Sequence, residues 1–168
     1  SITACTFHSF AKDIIDNNFL RLGYEKPPLL ISRDELIYLY LKEINVLSGF
    51  KSKMYNRFPI KALKSLLSIQ DQFKQELFDS DDLSNLQEKC LNMIEDLGEE
   101  EAEKYMQLYD AASTFDEFRQ IRKNSSFIEY EDMIFELWTL LKSDDISSEL
   151  QSKFKFIIID EFQDNNFA

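Results

Sequence analysis

Lys155-Phe156-Ile157-Ile158-Ile159-Asp160-Glu161-Phe162-Gln163-Asp164, near the end of the sequence, decides how the rest is read. Phe156 to Ile159 is short, continuous and rich in β-branched residues, which favours a strand buried on both faces over a helix. A parallel strand in an α/β sheet presents its ligand-binding end at its C-terminus, where Asp160 and Glu161 would stand. Nucleotide hydrolases use such an acidic pair to hold magnesium and orient an attacking water. The competing reading of these residues alone is a strand that ends in a solvated Asp-Glu turn.

The remaining composition is that of a helical protein. Of 168 residues, 44% are hydrophobic and 14% aromatic, enough for one sizeable core. With only three glycines and three prolines, few turns and long helices are expected. Fifteen Phe and seven Tyr exclude a disordered chain despite 30% charged residues. Cys5 and Cys90 form no spaced pair and His8 is the single histidine, so neither a zinc framework nor a disulfide scaffold is indicated, and a reducing cytoplasm fits best. No apolar run reaches the ~20 residues of a membrane span. A net charge of −12 argues against a general nucleic-acid binder, although a local basic patch can still bind. The chain starts without Met and stops soon after its final apolar run, so that run lacks sheet neighbours. It reads as part of a larger protein, and an unpaired strand edge would favour self-association.

Toward the N-terminus, Ile2 to Thr6 is expected to be a second short strand, with Thr6 capping a helix from Phe7 to about Leu22 that Gly23 closes. Helices are further expected from Ser32 to about Leu47, Pro59 to about Phe78, Ser80 to Leu97, Glu99 to Lys123 with a break at Ser113-Thr114, Tyr130 to Lys142, and Asp144 to Ser152. Capping boxes are expected at Ser32 and Thr114, and Ser80 is expected to cap its helix. Lys26-Pro27-Pro28 is an extended link, and Phe127 to Tyr130 is short and extended.

Three motifs stand out. Thr6-Phe7-His8-Ser9-Phe10 is a strand-to-helix turn offering hydroxyls, an imidazole and helix N-terminal amides, an arrangement suited to phosphates. Phe127-Ile128-Glu129-Tyr130-Glu131-Asp132-Met133-Ile134 opens an amphipathic helix with an acidic first turn. Asp160-Glu161-Phe162-Gln163-Asp164 is more specific than a bare Asp-Glu.

In this order the three resemble one family, the UvrD/Rep/PcrA-type superfamily 1 DNA helicases, whose motif II (Walker B) the last one matches. The resemblance implies a mainly α chain, a helical insertion subdomain of the 1B kind flanked by two short strands of a RecA-like P-loop α/β domain. Residues 1–22 and 127–168 would belong to that RecA-like domain 1A, and residues 23–126 to the 1B-like subdomain. It implies an ATP-dependent helicase or translocase, moving 3′ to 5′ on DNA in repair or recombination, with ATP, Mg²⁺ and single-stranded or forked DNA as partners. Asp160 would hold the Mg²⁺ of MgATP, Glu161 would polarise the attacking water, Gln163 and Asp164 would couple nucleotide to DNA, and Thr6 and His8 would touch DNA. Two departures are present: Asp164-Asn165-Asn166 stands where the family commonly has Asp-Thr-Asn or Asp-Thr-Ser, and Glu129 where it more often has Asp. A G-x-x-x-x-G-K-[ST] loop does not occur in these residues, so the phosphate cradle would lie upstream and the fragment alone would be inactive. A helicase–nuclease of the AddA or RecB kind, or a non-enzymatic helical interaction module, are the alternatives.

One basic stretch is read from the residues themselves. Residues 49–70 carry Lys51, Lys53, Arg57, Lys61 and Lys64 without an Asp or Glu, interleaved with Tyr55 and Phe58. That pattern suits the phosphates of duplex DNA. The competing reading is a surface answering the acidic runs at Asp79 to Asp82 and Glu99 to Glu103.

Overall fold

The computed structural model describes residues 3–43 and 49–160. Its helices follow the apolar stripes of the sequence. Helix α1 (Phe7–Asn18) runs into a 3-10 turn (Phe19–Leu22) that ends at Gly23, whose φ of 84° only glycine adopts cheaply. Helix α2 (Arg33–Lys42) opens on the expected capping box: the Ser32 hydroxyl accepts the Glu35 amide while Glu35 accepts the Ser32 amide. Then come α3 (Lys53–Arg57), α4 (Pro59–Gln75), α5 (Ser80–Ile94), α6 (Glu99–Ser113), α7 (Phe115–Asn124), α8 (Asp132–Leu141) and α9 (Asp144–Lys153). Asp79, one residue before the expected Ser80, caps α5 by accepting the amides of Asp81 and Asp82. Thr114 forms no capping box; its hydroxyl turns back to the Asp110 carbonyl at 2.7 Å. The part of the second predicted helix beyond Glu43, including Ile44, lies outside the described residues.

The strands are not where the sequence put them. Among the described residues, neither Thr3 to Thr6 nor Phe156 to Ile159 pairs as a strand. The latter is not buried on two faces: Phe156 is 91% and Ile158 95% exposed. A strand exists through its hydrogen-bonded neighbours, and none stands beside this run among the described residues. Instead β1 (Leu29–Leu30) pairs in parallel with β2 (Phe127–Ile128), Leu29 opposite Phe127. The Leu29 amide donates to the Ser126 carbonyl and the Ile31 amide to that of Ile128, both at 2.9 Å. β1 directly follows the stiff Pro27-Pro28 link, and β2 lies in the segment expected to be extended.

Apolar side chains gather in two clusters. Ala11, Ile14 and Ile15 of α1 pack with Met133 and Leu140 of α8 and Ile146 of α9. Leu36, Tyr40, Tyr55, Leu63, Leu66, Leu67 and Phe118 form the larger cluster of α2 to α7. Helix α8 serves both, sending Phe135 into the larger one. Helix α5 packs chiefly on α6, as an antiparallel hairpin.

Candidate functional site

Two of the three motifs meet. Thr6 stands in extended backbone before α1; its hydroxyl accepts the Ser9 amide at 3.1 Å and donates to the Ser9 hydroxyl at 2.9 Å. That cap starts α1 so that His8 lies flat on Tyr130, with ring centroids 3.7 Å apart and planes 11° from parallel. The pairing follows from the packing of α1 on α8. Phe7 and Tyr130 are about half exposed, so the stack borders an open aromatic surface. Burial lowers the His8 pKa below its usual value, against the opposing pull of Glu131, which keeps a neutral imidazole able to donate and accept.

The turn beneath Tyr130 is anchored by buried charge. The Glu129 amide donates to Asp132 Oδ2 at 2.9 Å. Asp132 Oδ1 faces Lys74 Nζ at 2.7 Å and Arg122 Nη2 at 3.0 Å. Glu129 Oε1 meets Arg33 Nε at 2.9 Å, and Arg33 reaches Asp71 at 2.6 Å. Arg122 also donates to the Tyr40 hydroxyl, which donates to the Phe118 carbonyl. Four helices are thereby tied to one turn: α2 by Arg33, α4 by Lys74, α7 by Arg122 and α8 by Asp132. Burial pushes both carboxyl groups toward protonation. At Asp132 the charges of Arg122 and Lys74 override it and hold the pKa far below the usual carboxylate range. At Glu129 burial prevails, aided by the charge of Asp132, and raises the pKa to about 7. Its Oε2 is buried without a hydrogen-bond partner among the described residues. A neighbouring fork joins α7 to α8, Arg119 gripping Glu136 with two bonds of 2.7 Å.

Sequence reasoning missed this lattice. It read Glu131 and Asp132 as a dipole-favoured first turn and gave Glu129 no structural partner. A signal was present: Lys74 lies in the buried stripe of α4 with Leu66, Leu67, Gln70 and Phe73, where a lone cation requires a buried anion.

The basic stretch divides. Tyr55 is fully buried, bonded to Ser65 at 2.7 Å, and so is not available to a ligand. Lys53 pairs with Glu99 at 2.9 Å, as the competing reading expected. The backbone amides of Lys51 and Ser52 donate to Asp110, while the Ser52 hydroxyl donates to Glu103 at 2.5 Å and the amides of Lys53 and Met54 also reach that carboxylate. The Lys51 ammonium rests over the Tyr109 ring at 4.8 Å. Arg57 and Lys61 flank the ring of Phe58.

Asp160 is exposed at the end of the extended terminal run. Glu161, Gln163 and Asp164 lie outside the described residues. Among the described residues no three carboxylate, imidazole or thiol groups gather to hold a metal. Mg²⁺ on a nucleotide needs only one or two carboxylates beside phosphate oxygens and water, and the Asp160 carboxylate is a donor of that kind. The described cysteines are free, and no described helix is long and apolar enough to cross a membrane.

Comparison with known proteins gives the same assignment as the motifs. The chain is 28% identical over 164 residues to a probable DNA helicase II homolog of Mycoplasma pneumoniae, covering 96% of this chain and 20% of that protein. It is 28% identical over 130 residues to an ATP-dependent helicase/nuclease subunit of Lactobacillus helveticus, covering 69% of this chain and 10% of that protein. The chain thus spans a tenth to a fifth of the length of these relatives. No solved structure matches it. The UvrD/REP helicase N-terminal domain matches over residues 1–168, and the chain belongs to that family.

Proposed function

We propose that this chain supplies part of the nucleotide site and part of the DNA surface of an ATP-dependent DNA helicase or translocase, moving 3′ to 5′ in repair or recombination. The observation that carries the reading is the meeting of the Thr6 to Phe10 turn with the Glu129 to Asp132 turn through the His8–Tyr130 stack. Single-stranded DNA is bound by aromatic faces beside polar groups that track its backbone, and this surface offers Phe7, His8 and Tyr130 next to the Thr6 cap. Asp160 holds the Mg²⁺ of MgATP, which neutralises charge on the phosphates when bound. Glu161 polarises the water, and Gln163 and Asp164 link nucleotide to DNA. Residues 23–126 act as the helical 1B-like subdomain, inserted between the 1–22 and 127–168 parts of domain 1A. Lys51, Lys53, Arg57 and Lys61 face DNA near the fork.

The test is ATP hydrolysis by the full-length protein with and without single-stranded DNA. Expected are turnover stimulated by DNA, its loss by at least about a hundredfold in Glu161→Gln, as for removal of a catalytic base, and no turnover by the isolated 168-residue chain. Glu161-dependent hydrolysis by the isolated chain would contradict the division of the site, and a full-length protein indifferent to DNA would end the reading. The similarity to a helicase/nuclease favours a second form of it, a parent that also carries a nuclease.

A further inference from the structure

The junction of α3 and α4 has features that a duplex-phosphate patch does not need. Phe58 ends α3 and stands before Pro59, the first residue of the 17-residue α4. Phe58 is 43% exposed, beside Ile60 at 56%. The Arg57 guanidinium lies 5.3 Å and the Lys61 ammonium 5.2 Å from the ring centre. Neither cation, nor Lys64 one turn on, forms an ion pair among the described residues, in a chain of net charge −12. Lys53, by contrast, is ion-paired with Glu99 at 2.9 Å. No side chain caps α4, so its first amides add positive potential at the same place.

An exposed aromatic ring between unpaired cations matches a ligand that alternates flat apolar faces with negative charge. Unpaired bases and their phosphates have that composition; a closed duplex shows only its phosphates to such a ledge and keeps its base faces stacked. Charge narrows the choice further. Between residues 79 and 103 ten Asp and Glu stand against Lys89 alone, so the α5–α6 hairpin repels a polyanion that the junction attracts.

We propose that Arg57, Phe58 and Lys61 form a single-strand ledge, in which Phe58 takes one unpaired base and Arg57, Lys61 and Lys64 take the adjoining phosphates. The assignment rests on the helicase reading and adds that this surface recognises the opened arm of a fork rather than the duplex ahead of it.

The experiment measures binding of the full-length protein to a fork with single-stranded arms and to a blunt duplex of equal length, over a range of salt. Phe58→Ala should weaken fork binding about five- to tenfold, as loss of one base–aromatic stack does, and leave duplex binding within about twofold. Phe58→Trp should restore fork binding and Phe58→Leu should not, a contrast that a merely structural role of an apolar residue would not produce. Replacing Arg57 and Lys61 by Gln should lower the slope of log affinity against log salt on single-stranded DNA by about 1 to 1.5, whereas Phe58→Ala should leave the slope unchanged. Equal losses on fork and duplex, or a Trp variant no better than Ala, overturn the ledge while leaving the helicase reading intact. A wild-type protein that binds neither DNA overturns both.

Discussion

Glu129 and Asp132 sit one turn apart, both nearly inaccessible, and they part company through their neighbours. Asp132 is sandwiched between two cations, while Glu129 has Arg33 on one oxygen and, among the described residues, no hydrogen-bond partner on the other. The two carboxylates also repel each other, which burdens the less well-paired one. The folded chain therefore holds a proton on Glu129 more tightly than the unfolded chain does. This group's contribution to stability is fully present below its ordinary value of 4.5 and is lost as pH rises to about 7. Glu129→Gln keeps the neutral form at every pH. Between about pH 5 and pH 8, wild-type stability should fall by on the order of 1 to 3 kcal/mol relative to the variant, read from urea midpoints at each pH. Parallel curves for the two proteins would show that Glu129 is charged throughout.

Among the elements, α3 shows how little a short helix relies on itself. Five residues cannot sustain a helix alone, and this one is held from outside. Asp110 takes the amides of Lys51 and Ser52 at 2.9 and 2.8 Å, and Glu103 takes the Ser52 hydroxyl and the Lys53 and Met54 amides. The basic segment is positioned by acids of α6, chiefly through its backbone amides and the Ser52 hydroxyl rather than through its basic side chains. Asp110→Ala should raise the hydrogen-exchange rates of the Lys51 and Ser52 amides by about tenfold or more, the loss of one to two kcal/mol of charge-assisted bonding, with the α1 amides unchanged. Unaltered exchange at residues 51 and 52 would show that other contacts hold α3. The same scale separates what the sequence made legible from what it hid. Helix positions were readable because a 3.6-residue stripe is local: Leu36, Ile37 and Tyr40 are buried as their spacing requires. Strands were not, because Phe156 to Ile159 carries the right residues without a strand partner among the described residues, whereas Leu29-Leu30 becomes a strand only because Phe127 arrives from ninety-odd residues away.

For the whole molecule, the helix that serves both apolar clusters opens on a seam of charge. Arg33, Lys74, Arg122, Glu129 and Asp132 form a buried network at the start of α8. Such a seam adds little net stability over apolar packing, yet removing one partner leaves a buried charge uncompensated. It fixes how α2, α4 and α7 sit on α8, and so how Tyr130 meets His8. The motifs announced both ends of this arrangement. Their contact across the fold was not legible, since no local pattern reports which of several buried cations a given carboxylate finds.

The parallel pairing of β1 with β2 has one more consequence. The chain leaves the pair after Leu30 and comes back at Phe127 beside the point of departure. The separation of these two feet is therefore independent of how much polypeptide is strung between them. Length can be added at the α5–α6 turn, where residues 95 and 96 are exposed and a Cβ on Gly98 would meet nothing within 4 Å. A flexible eight-residue insert after Asp96 should lower stability by no more than about 1 kcal/mol, since closure entropy grows only logarithmically with loop length. The same insert after Ser126, whose backbone carbonyl is bonded to β1, should unseat the strand pair and with it the His8–Tyr130 contact. Thermal melting of the two insertion variants compares them directly, and equal losses would mean that the feet do not set the frame. Variation in size among such domains is then expected to accumulate at the tip of the hairpin and to spare its base.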